Sequence, residues 1–138
     1  MSDDHRIALV VSPHLPLGHL ANTVATISVG LGAAQPYLAG TRLTDTQGRI
    51  IHVSANRPVP VLQADPDTIL TLLLRALPTP EGAVVVAFPH FARALHSFAE
   101  YEATFPERDI ADETIDGLGL AGPAKWVRSL TGALKLLR

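Results

Sequence analysis

Cysteine is absent from the 138 residues, which excludes disulfides and thiolate metal sites. Charge is scarce. Asp, Glu, Lys and Arg make up 17% of the chain, against roughly 25% in an average domain. A surface so sparsely charged is expected to leave apolar area for a partner, here a second copy in a homodimer. Basic residues are few and scattered, 11 Lys and Arg against 13 Asp and Glu, for a net charge of −2. Proteins that grip nucleic acid by its phosphates carry a concentrated basic surface. The densest basic stretch, Lys125, Arg128, Lys135 and Arg138, reads as a solvated helix face and tail. No tight nucleic-acid binding is expected. Long apolar runs are missing too. Ile7–Val11 is far too short for a signal core or a membrane span, and Met1-Ser2-Asp3-Asp4-His5-Arg6 is not a basic leader. The expectation is a cytoplasmic protein without a membrane partner.

What is present is a large apolar fraction, 47%. The length fits one domain, residues 1–138. A domain of this size buries roughly 68% of the surface its unfolded chain exposes. Arg6–Val11 is a short continuous β-branched run, the pattern of a buried central strand. Ser12-Pro13-His14-Leu15-Pro16 breaks it. Leu20, Val24, Ile27 and Leu31 then recur at helical spacing. Thr41–Asp45 and Arg49–Val53 flank Gly48 as a small hairpin. Val59-Pro60-Val61-Leu62 is a second strand; Pro60 lacks an N–H, so it should lie at an edge or pair on one side there. Asp65 caps the next helix, with Pro66 in its first turn and Ile69, Leu72, Leu73 and Ala76 inward. Ala83–Phe88 is another central strand. Pro89-His90 follows, then a helical stretch to about Ala103 and a polar loop from Phe105 to Glu113. Thr114–Leu120 is the last main strand. Gly122-Pro123 leads into a helix over 124–130, and 133–137 is strand-like or irregular. Alternating strands and helices argue for the α/β class.

Three stretches together carry a family resemblance: IALVVSPHLPLGHLANTVATISVGLGAA, PVPVLQAD and GLGLAGPAKWVRSLTGALKLLR. The chain resembles the domain-of-unknown-function family 2000, which is similar in fold to the type 2 peptidyl-tRNA hydrolases. The resemblance implies a three-layer α/β/α sandwich with a mixed, mostly parallel four-stranded sheet plus the small hairpin. The hydrolase residues themselves do not carry over. The place of the family's glycine–lysine pair reads Gly18-His19-Leu20-Ala21, Asn22 stands near its glutamine, and its histidine falls on Ala25 or Thr26. Its Asp-Ala-Gly place reads Pro89-His90-Phe91.

Gly117-Leu118-Gly119-Leu120-Ala121-Gly122 is a literal G-x-G-x-x-G. A dinucleotide site needs it in the first βαβ unit with an acid about 20 residues on, and the chain ends before that. No cofactor is expected. Six histidines are present, but no H-E-x-x-H motif, and no carboxylate accompanies them as a ligand set, so no metal is expected. His96 and Glu100 are merely four apart. His14, His19 and His90 stand out, because each follows the carboxyl end of a central strand, the rim where open α/β sheets hold ligands. They are the candidates for a general base. Ser12, Asn22 and Arg93 are the candidate ligand-binding residues at the same rim, suited to a small anionic ligand. Two functions fit: a small-ligand-binding or regulatory module, or a divergent hydrolase or transferase acting on an ester or amide with a histidine base.

Overall fold

The computed structural model describes residues 4–138; the leader reading of Met1-Ser2-Asp3 lies outside them. Strand β1 (His5–Val11) is the centre of the molecule. Its continuous apolar run is explained by burial on both faces. Ile7 and Leu9 enter one core cluster, Ala8 and Val10 the other. Helix α1 (Leu17–Ala34) covers the first face, burying Thr23, Ile27 and Leu31. A hairpin of β2 (Arg42–Thr44) and β3 (Ile50–His52) follows, with Gly48 at φ 79° in its turn. Strand β4 (Val61–Gln63) leads to α2 (Pro66–Ala76). Asp65 caps that helix by accepting the Thr68 N–H at 2.8 Å. Strand β5 (Val84–Pro89), a 3-10 helix (His90–Ala94) and α3 (Phe98–Thr104) come next. Strand β6 (Ile115–Pro123), helix α4 (Ala124–Thr131) and β7 (Lys135–Leu136) complete the described chain. Helices α2 and α4 cover the second face, so the sheet lies between helical layers.

The sheet has five strands, in the order β5-β6-β1-β4-β7. Two expectations are thereby corrected. The four-stranded sheet gains β7, because Leu136 and Lys135 pair with Leu62 and Gln63. The mostly parallel pairing also fails: β1–β4 is parallel, whereas β1–β6, β5–β6 and β4–β7 are antiparallel. The physical reason is the long strand β6, which returns between β1 and β5 and separates two strands that run the same way. Pro60 behaves as its missing N–H demands. Its carbonyl accepts from Leu9 N–H at 3.0 Å, and pairing with β7 begins only beyond it. The expected single helical stretch after His90 is split, and the expected loop over 105–113 contains two short 3-10 turns.

The glycines of β6 bring α1 onto the sheet. A Cβ on Gly117 would stand 2.5 Å from Thr23 Cγ2, and one on Gly119 would stand 2.3 Å from Ile27 Cγ2. These residues lie inside a strand under a helix, not in a phosphate-binding turn.

Candidate functional site

Strands β1 and β5 both run antiparallel to β6, so their carboxyl ends share one rim with the start of β6. The pairing of β5 with β6 slips there. Phe88 faces Gly117, but the next residue, Pro89, faces Ile115. Asp116 is thus the extra residue of a β-bulge. Strict alternation back from Leu120 and Leu118 would send Asp116 into the apolar α2–α4 face. Ile115 takes that place instead, and the bulge re-aims the carboxylate toward α1.

Three donors converge on Asp116 Oδ2. His90 Nδ1 lies at 2.8 Å, Arg93 Nε at 3.3 Å and Arg93 Nη2 at 3.0 Å. The Asp116 side chain is 3% exposed, that of Arg93 14% and that of His90 60%. Arg93 is fixed on several sides. Its Nη2 also donates to Thr23 Oγ1 at 2.7 Å, and its guanidinium stacks over the Phe88 ring at 4.6 Å. Thr23 Oγ1 in turn donates to the carbonyl of His19. Ser12 is buried opposite Asp116, its N–H donating to the Asp116 carbonyl at 3.1 Å.

A carboxylate can only accept, so the contact with His90 requires the imidazole proton on Nδ1. In the neutral ring this leaves the Nε2 lone pair on the exposed side, where it can accept a hydrogen bond or a proton from a ligand. Sequence reasoning missed Asp116 and Thr23. The available signal was a lone acid in the apolar run Ile115–Ala121.

Of the sequence candidates, the structure assembles His90, Arg93 and Ser12 at this rim. His14, His19 and Asn22 sit beside it with exposed side chains; what reaches inward from the start of α1 is the His19 carbonyl and Thr23. Elsewhere, His96 and Glu100 form a capping arrangement, Glu100 accepting the His96 N–H while Ser97 accepts the Glu100 N–H. Among the described residues, no group of three or more His, Cys, Asp or Glu converges as metal ligands, and no helix is long and apolar enough to cross a membrane.

A family model described as "Protein of unknown function (DUF2000)" matches residues 5–138. The solved structure of a protein of unknown function from Agrobacterium tumefaciens is similar, with a TM-score of 0.87 at 19% identity over 98% of each chain. That likeness establishes the shared fold. No curated protein sequence matches the chain.

Proposed function

The chain belongs to the DUF2000 family of proteins of unknown function, and we propose that it is a small-ligand-binding module whose site is the His90–Asp116–Arg93 rim. The observation that carries this is the bulge that turns a buried carboxylate out of an apolar core and commits it to one histidine and one arginine. A buried ion pair is often no more stabilising than apolar packing of similar volume. An arrangement that builds one and leaves the free imidazole nitrogen on the surface is better suited to recognition. The ligand donates a hydrogen bond to His90 Nε2 and presents an anionic group to the exposed flank beside His14, His19 and Asn22.

A second reading is favoured by one specific feature. The carboxylate fixes the imidazole tautomer, as general-base sites do. In this reading His90 takes a proton from water during hydrolysis of an ester or amide. Against it, His90 is largely open to solvent, and an exposed site forgoes the strengthening that water exclusion gives electrostatic catalysis.

A thermal-shift screen of carboxylates, phosphates and amides separates the two when hits are repeated on His90→Ala. A bound ligand at 100 times its dissociation constant stabilises by roughly 2.7 kcal/mol. The expected result is a stabilising hit that His90→Ala loses, without turnover of the ligand. Turnover abolished by His90→Ala assigns the base role. A hit that His90→Ala retains is bound elsewhere, and a screen in which no hit depends on His90 refutes both.

The finer description is also a proposal: a single domain of type 2 peptidyl-tRNA hydrolase-like fold, cytoplasmic, homodimeric and without tight nucleic-acid affinity. Its supports are the strand–loop–helix opening, the closing segment from Gly122-Pro123, the sparse charge, and the exposure of Leu43, Ile50 and Ile51 on the hairpin.

A further inference from the structure

Strand β4 pairs with β1 only at Leu9–Val11. Before Leu9, β1 has no strand partner on this side, and a cleft of about 670 Å³ opens between the amino-terminal half of β1, the segment 56–60 and helix α4. It lies at the opposite end of β1 from the His90 rim. Its size is that of a small-molecule site. The floor is apolar, from Ala8, Leu62 and Val127, while Arg6, Arg57 and Arg128 stand in its wall. Among the described residues, Asp4 is the one acid of the lining. The chain as a whole is net negative, so three arginines around one cleft run against its balance.

Arg57 is already held in place. Its Nε donates to Asn56 Oδ1 at 2.8 Å, its Nη1 donates to the His5 carbonyl at 3.1 Å, and its guanidinium lies over the Tyr37 ring at 5.4 Å. Guanidinium groups fixed in this way bind carboxylate and phosphate with little further loss of freedom. Arg6 and Arg128 are exposed and make no hydrogen bond or ion pair with a described side chain. Both side chains are therefore accessible to a ligand from the solvent side. His5 also lines the cleft, with its ring packed edge-on against Tyr37.

We infer that this cleft is a second binding site, separate from the rim, for a small molecule with an anionic head on an apolar body. The arginines take the head and the Ala8–Leu62–Val127 floor takes the body. Phosphate and carboxylate heads share this chemistry. Calorimetric titration with octyl phosphate, octanoate and octyltrimethylammonium tests the inference. One or both anions are expected to bind saturably and the cation not at all, and the tighter anion identifies the head. Arg6→Gln and Arg128→Gln, at exposed positions, are each expected to weaken binding at least ten-fold with an unchanged unliganded Tm. Arg57→Gln is a harsher variant, since it also releases the His5 carbonyl. His90→Ala is expected to bind as the unaltered protein does, which keeps this site distinct from the rim. Absence of saturable binding by both anions, equal binding of the cation, or unchanged affinity in Arg6→Gln and Arg128→Gln overturns it.

Discussion

Asp116 and His90 share a hydrogen bond but differ in what their loss exposes. Removing Asp116 strands the Arg93 guanidinium, which is mostly buried and stacked on Phe88. Breaking a buried pair from one side costs about 3–5 kcal/mol, so Asp116→Ala is expected to lose about 3 kcal/mol in urea unfolding. His90 is mostly exposed, and its loss leaves Arg93 to satisfy the carboxylate. His90→Ala is expected to unfold within about 0.5 kcal/mol of the unaltered protein, as surface substitutions usually do. A large loss in His90→Ala would instead make the histidine a structural strut. Gly119 makes a different residue-scale case. A methyl group there meets Ile27 at 2.3 Å, and overpacking of this kind typically costs about 1–3 kcal/mol. Gly119→Ala is expected to lower Tm clearly. Gly18→Ala, where nothing stands within 4 Å of the added methyl, is not.

Among the elements, α2 carries the clearest local code. Asp65 accepts the Thr68 N–H, and these hydrogen bonds hold its carboxyl below the ordinary value of 3.8. A lowered folded pKa means the unfolded state binds the proton more tightly. The stabilisation is therefore present above the unfolded value and is lost as pH falls through the folded one. Asp65→Asn keeps a capping oxygen but cannot titrate. The Tm difference between the unaltered protein and Asp65→Asn is expected to shrink as pH drops from 5 toward 2 on the usual aspartate scale. Asp65→Ala is expected to melt lower than both near neutral pH. A difference independent of pH would remove the charge from the account. Strand β6 is the contrasting element. Its length and bulge depend on α1 lying against Gly117 and Gly119 and on β5 as a neighbour, and nothing local specifies either.

For the whole molecule, the two-stranded β2–β3 hairpin is the feature that asks for a partner. Leu43, Ile50 and Ile51 are all exposed, although Ile50 and Ile51 point to opposite faces of the ribbon. An isolated hairpin is at best marginally stable in water, and a second copy would cover one of these faces. Sedimentation at tens of micromolar is expected to find a dimer, and Ile51→Asp is expected to shift it toward monomer. A clean monomer for the unaltered protein at that concentration refutes the homodimer. Charge leads to the remaining prediction. With a net charge of −2, tRNA is expected not to bind at micromolar concentrations in filter binding. Tight binding with a steep negative salt slope would contradict it.

Periodicity and capping are local, so most elements could be read from the chain alone. The β-branched run of β1, the apolar stripe of α1, the Gly48 hairpin and the Asp65 cap are each set by residues within a few positions of one another. The one-sided pairing at Pro60 also follows from a single missing N–H. The rim was legible in outline, because proline breaks after two central strands place Ser12, His90 and Arg93 at strand ends. Its centre was not. Asp116 looked like an interior strand position, and only the slip between Phe88 and Pro89 turns it outward. The fifth strand, the antiparallel return of β6 and the arginine cleft beneath β4 are likewise products of tertiary structure. Each depends on which distant segments become neighbours, and burial competing over the entire chain decides that.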